Sequence, residues 1–108
     1  MKVNAPVDVG IAEIVSLLNS LPDLQTVDSC EGIPGRKPAH VYFYYGDWQR
    51  VSRFMFAELG PALCDMVRGA SVEVFNGSEP MARLSFEPEA TQEVASVLKR
   101  VIYERPKL

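Results

Sequence analysis

Apolar residues return at spacings of three and four through Ile11, Ile14, Val15, Leu18 and Leu21, which lays them along one helical stripe. Asp8 suits the cap before that stripe, and Pro22 closes it because proline disfavours helix at the residue before it. A first helix is therefore predicted over 8–20. The pattern then changes period. Residues 24–29 alternate, with Val27 directed one way and Thr26 and Asp28 the other, which is the signature of a strand. Two glycines and two prolines make 32–38 a loop. Residues 39–45, aromatic and β-branched, suit a half-buried pleated surface and are read as a second strand.

Gly46 and Asp47 end that strand and cap a helix over 48–58, whose apolar positions are Trp48, Val51, Phe54, Met55 and Leu59. Gly60-Pro61 interrupts it, and Pro61 fits the first position of a short helix ending at Gly69, so the pair reads as one kinked helix or two. Residues 71–75 and 81–86 alternate again, joined by a loop that opens on Asn76-Gly77. The last helix begins around Pro88, with Glu87 and Glu89 at its positive end and Lys99 and Arg100 towards its negative end. Val94, Val97, Leu98, Val101 and Ile102 form its stripe, and Pro106 ends it.

The order is thus α-β-β-α(α)-β-β-α in a single domain, 1–108. The fold class is α+β, a four-stranded, mainly antiparallel sheet with its helices on one face. The two halves look alike: 26–32 lines up with 71–77, and 41–43 with 84–86, each hairpin followed by a helix, as in a ββα duplication. Alternation assigns Val27, Val41, Phe43, Val72, Val74, Ala82, Leu84 and Phe86 to the covered face. Thr26, Asp28, His40, Tyr42, Tyr44, Ser71, Glu73, Phe75, Arg83 and Ser85 fall on the other.

Composition narrows the function classes. Apolar content of 47% and charged content of 23% are ordinary for a globular domain. No apolar run approaches the roughly 20 residues of a membrane span, and residues 1–6 lack the apolar stretch of a secretory signal, so no membrane and a cytoplasmic location are expected. A net charge of −3 speaks against a surface given over wholly to nucleic acid, although Arg36-Lys37, Arg50 and Arg53 leave room for a local basic patch. Two cysteines, Cys30 and Cys64, and one histidine, His40, are too sparse for a disulfide framework or a metal site.

Two places carry candidate chemistry. The first is the outer sheet face, where Tyr42, Tyr44 and Phe75 would form an exposed apolar patch of the kind that marks an interface. A homodimer through this face is one reading; a platform for a ligand or RNA, with aromatics for stacking, is the other. The second is Ser29-Cys30-Glu31-Gly32. Gly32 can take positive φ and let a ligand approach the backbone. Cys30 is a candidate thiol nucleophile with His40 across the hairpin as its base, and Glu31 a candidate general acid or base. The plainer reading makes Cys30 a small buried hydrophobe, as Cys64 is expected to be within its helical pattern. Arg36 and Lys37, between Pro34 and Pro38, could hold a small anion or simply be solvated. Trp48 is expected to pack in the core or an interface.

The turn carries a resemblance. Leu18-Asn19-Ser20-Leu21-Pro22, then Thr26-Val27-Asp28-Ser29-Cys30-Glu31-Gly32 and Ala39-His40-Val41-Tyr42-Phe43, resemble small uncharacterised bacterial proteins with a helix, a Thr-x-x-Ser-Cys-x-Gly turn and an aromatic strand. The same turn is similar to one in the wybutosine-synthesis methyltransferase family, which acts on a tRNA guanosine with S-adenosylmethionine. Ser29, Cys30 and Gly32 match that family, Ile33 stands where it usually has arginine, and Arg36 would substitute only if the loop folds back. The family is considerably longer than this chain. The resemblance implies kinship of fold and a site around Ser29, Cys30 and Gly32, but not the activity, and the chain has no glycine-rich cofactor loop.

The reading is therefore a binding or interaction module, with Ser29, Cys30, Glu31, Gly32, Arg36, His40 and Tyr42 as its candidate binding residues. The catalytic residues and cofactor are left unassigned. The alternative is a reduced relative of the tRNA-modifying methyltransferases. An enzyme requires a cleft at the turn with Cys30 exposed beside His40 or Glu31, whereas a module would present a flat face and a buried Cys30.

Overall fold

Strict alternation in the central strands decides the architecture, which a computed structural model describes for residues 9–104. The Asp8 cap and the Pro106 stop lie outside the described residues. A 3₁₀ turn (Val9–Ile11) leads into α1 (Ala12–Asn19), followed by β1 (Leu24–Cys30) and β2 (Ala39–Tyr45). Then come α2 (Trp48–Ser52), a π-helical stretch (Arg53–Leu59) and α3 (Gly60–Met66). The chain continues through β3 (Ser71–Phe75), β4 (Met81–Phe86), a second 3₁₀ turn (Pro88–Ala90) and α4 (Thr91–Tyr103).

The sheet order is β1-β2-β4-β3, with every neighbouring pair antiparallel. This is the α+β arrangement expected from the sequence. Two hairpins meet through their second strands, and Val41 lies opposite Leu84 at the join. The partner of Val41 on β1 is Ser29, and the partner of Leu84 on β3 is Val72. Matching the halves about this join therefore aligns Ser29 with Val72, rather than Thr26 with Ser71 as the sequence alignment had it.

Val41, Phe43, Ala82, Leu84 and Phe86 are buried against the helices, together with Ile14, Leu18, Phe54, Leu63, Val94 and Leu98. Burial of each of these side chains other than Ala82 contributes on the order of 1.5–3 kcal/mol. Phe43 meets Phe54 edge to face at 6.2 Å, locking the middle helix onto β2.

Strand β1 departs from the expected phase. Thr26 pairs with Phe43 but Asp28 pairs with Tyr42, so Val27 is an extra residue without a partner across the ladder. Val27 was expected inside and is 39% exposed; Thr26 was expected outside and is buried. The cause is polar. Asn19, buried at the end of α1, donates from Nδ2 to Val15 O at 3.0 Å and to Thr26 Oγ1 at 2.9 Å, and its Oδ1 accepts from Thr26 N at 3.3 Å. The clasp draws Thr26 inward, and the bulge then restores Asp28 to the outer face.

The break expected at Gly60-Pro61 is a widened stretch of one continuous helical run. Gly60 N donates to Met55 O, five residues back. Proline has no N–H to give and its ring crowds the carbonyl four residues earlier, so a widened ladder before Pro61 accommodates it. A Cβ on Gly60 would lie 2.6 Å from Met55 O and 3.2 Å from Val72 Cγ2, so only glycine lets the run approach β3 this closely. Trp48, expected in the core or an interface, is 43% exposed and so is not part of the core. Cys64, expected to be buried, is exposed while its neighbour Leu63 takes the buried position.

Candidate functional site

The uncovered face of the sheet presents three cross-strand rows. The first runs Cys30, His40, Ser85, Ser71; the second Asp28, Tyr42, Arg83, Glu73; the third Gln25, Tyr44, Met81, Phe75. His40, Tyr42, Tyr44, Met81, Arg83 and Glu73 are all half-buried, and Phe75 is exposed. Phe43 and Leu84 lie beneath the helices while Tyr42 and Arg83 face outward, as alternation required.

Arg83 is the hub of this face. Its guanidinium forms an ion pair with Glu73, donating from Nε at 3.1 Å and from Nη2 to the same oxygen, and its Nη1 donates to Tyr42 Oη at 3.2 Å. It also stacks over the Phe75 ring at 5.2 Å and the Tyr42 ring at 5.8 Å. The hydrogen bond to Glu73, and after it the bond to Tyr42, raises the Arg83 pKa and keeps the group charged. On the other side of Tyr42, His40 meets that ring edge to face at 5.3 Å, and its Nε2 lies 3.5 Å from Asp28 Oδ2. One chain of contacts therefore crosses all four strands, from Asp28 through His40, Tyr42 and Arg83 to Glu73.

The structure brings together only part of the sequence-derived set. Cys30, His40 and Tyr42 share the outer face, with Cys30 half-buried and directly opposite His40. Ser29 lies opposite Val41 and so belongs to the other side of the strand. Glu31 turns towards the start of the chain, where its Oε2 accepts from Gly10 N at 3.0 Å, so the proposed acid or base ties the loop to the first helical turn. Gly32 takes φ +77°, and a Cβ there would lie 2.6 Å from Lys37 O and 2.7 Å from Ala39 N. Its positive φ serves the close return of the loop. Arg36 sits at the exposed tip, where Ile33 and Lys37 bridge and Arg36 N donates to Ile33 O at 2.9 Å.

Two depressions lie off the open face. One, of about 320 Å³, is lined by Gly10, Glu31, Gly32, Pro34, Pro88, Thr91 and Gln92 and includes neither Cys30 nor His40. A larger one, of about 590 Å³, lies among Tyr45, Asp47, Gln49, Arg50, Arg53 and Glu58, so Arg50 and Arg53 of the suspected basic patch stand among acids. Arg50 donates to Asp23 Oδ2 at 3.1 Å, a bond that raises its pKa, and stacks over Tyr45 at 4.6 Å. Among the described residues no group of three His, Cys, Asp or Glu side chains is placed to hold a metal ion, and no helix is long and apolar enough to cross a membrane.

Sequence reasoning placed Arg83 and Glu73 on the outer face without making them part of the site. Their opposition could have been read from the 76–80 loop, once its length is taken to set the hairpin register. The Asp28–His40 approach depends on the bulge, which leaves no comparable mark in the sequence. No protein-family model, curated protein or solved structure matches this chain, so the case for function rests on the face and the turn themselves.

Proposed function

We propose that the protein is an interaction module whose working surface is the open sheet face beside the Ser29–Gly32 turn, and that it forms a homodimer through that face. The observation that carries this reading is the company Arg83 keeps. Tyr42, Tyr44, Met81 and Phe75 stand uncovered, while the one arginine among them is already engaged by Glu73 and Tyr42. An aromatic face whose cation is internally paired suits a protein surface. It suits RNA less well, because the charged residues of the three rows (Asp28, Glu73 and Arg83) sum to −1 and phosphate binding needs uncommitted cations. Sedimentation equilibrium tests it. The wild type is expected to self-associate, and Tyr44→Glu to be monomeric with an unchanged far-ultraviolet spectrum. A wild type that stays monomeric at its highest soluble concentration overturns the homodimer.

A second reading has one observation in its favour. The depression of about 320 Å³ adjoins Glu31 and Gly32, within the turn that resembles the tRNA methyltransferases. On this reading the chain is a reduced relative that seats a small anionic group or RNA there. S-adenosylmethionine, tRNA and inorganic phosphate are each expected to raise the melting temperature if they bind the folded state, and the absence of a shift with all three removes this reading.

A further inference from the structure

The two edges of the sheet are built differently. At one edge β1 carries the Val27 bulge, which interrupts its ladder. At the other edge the five residues of β3 pair with β4 without a shift, and they include no proline, lysine or arginine. Natural sheets guard an edge with such devices because its free backbone groups template a further strand. In an antiparallel ladder, alternate residues turn N–H and C=O away from the neighbouring strand. Either Val72 and Val74 or Ser71, Glu73 and Phe75 therefore direct theirs to the edge. Among the described residues no hydrogen bond meets them.

The side chains of β3 define the strand that fits there. On the helix side, Val72 and Val74 pack on the core yet stay half-buried, whereas their partners Leu84 and Ala82 are fully buried. A further strand would cover both valines if it carried an apolar residue on either side of a central one. On the outer side, Arg83 donates twice to Oε1 of Glu73, and among the described residues Oε2 accepts nothing. The row Asp28, Tyr42, Arg83, Glu73 thus ends on a carboxylate with a cation on one flank only. A basic residue opposite Glu73 continues the alternation of sign, which stabilises cross-strand pairs, while like charges opposite each other weaken them. A second copy's β3, paired residue for residue about its middle, would set Glu73 against Glu73. The charge therefore favours a partner of complementary pattern over a second copy.

We propose that the β3 edge docks an extended segment of a partner protein, which adds to the sheet as a fifth strand. The segment places a lysine or arginine opposite Glu73, and apolar residues on either side of it opposite Val72 and Val74. Main-chain hydrogen bonds supply the attraction in this mode, and the alternate side chains supply the selectivity. The site lies at the side of the sheet and does not depend on a homodimer through the open face.

The experiment is an NMR titration of the isotope-labelled full chain with the end-blocked peptide Ser-Thr-Val-Lys-Val-Thr-Ser. The amide resonances of 71–75 are expected to shift and their exchange with solvent to slow. Glutamate in place of the peptide's lysine should weaken binding by about fivefold, since an attractive cross-strand pair becomes a repulsive one. Glu73→Gln, checked for its fold by circular dichroism, should reduce that discrimination. N-methylation of the peptide at both valines, or in a separate peptide at the lysine, removes the N–H groups aimed at β3 in one of the two, and that one should not bind. No change at 71–75 at the highest soluble peptide concentration overturns the site. Equal binding of the lysine and glutamate peptides overturns the basic partner, and binding that survives both N-methylations overturns strand addition. Exchange protection of 71–75 that rises with protein concentration alone gives the edge to a second copy and overturns the partner.

Discussion

Tyr44 and Tyr45 are adjacent in β2 and differ only in the side of the sheet they occupy. Tyr45 is 2% exposed, packs edge to face on Phe54 at 5.3 Å and is capped by Arg50 at 4.6 Å. Tyr44 stands half-buried in the outer row between Gln25 and Met81. The inner face is closed by helices, so its side chains serve stability. Among the described residues the outer face has no such cover, and its order comes from contacts among its own side chains, centred on Arg83. The inner surface is therefore committed and the outer one left available.

Equal truncations at the two tyrosines test this contrast most strongly. Tyr45→Ala is expected to cost about 3 kcal/mol of unfolding free energy in urea, as large-to-small core changes do, and Tyr44→Ala under about 1. Similar losses at the two sites would mean that the faces are not distinct. Gly32→Ala comes next, at about 2 kcal/mol or more, because positive φ disfavours a side chain and its Cβ would strike backbone atoms within 3 Å. Near-wild-type stability in a melting experiment would show that the loop has another conformation open to it.

Asn19→Ala should cost about 1–2 kcal/mol by leaving the Thr26 hydroxyl and N–H without their buried partner. Amide exchange at Thr26 should quicken with it; a change in stability without that local signature would detach the clasp from the bulge. Arg83→Gln is the smallest effect. Its pair with Glu73 is partly solvated, so stability should change by no more than about 1 kcal/mol, with the difference shrinking in high salt. A larger loss would make the outer network part of the fold's support.

Much of the scaffold was legible. The strands at 39–45, 71–75 and 81–86 match their predicted limits, because alternation of apolar and polar residues carries their phase directly. Val27 and Thr26 were misassigned because one extra residue inverts every side chain before it, and nothing in 24–29 marks the insertion. Cys64 was misplaced because a short helix offers few apolar positions to fix its phase, and Leu63 and Val67, four residues apart, take the buried side that leaves Cys64 outside. Of the site, Cys30, His40 and Tyr42 were found together because they lie on paired strands. The bond that Glu31 accepts from Gly10 left no mark in the sequence, because the two residues stand 21 positions apart.

By itself the sequence determined the element order and the apolar faces of α1, α4 and three strands, since both are local periodicities that burial enforces. Tertiary structure decided which side of β1 faces the helices, through the Asn19–Thr26 clasp and the Val27 bulge. It also decided which charges on the open face meet. Those outcomes follow from cross-strand register and long-range polar contacts, whose energies arise only once distant segments share the same few ångströms.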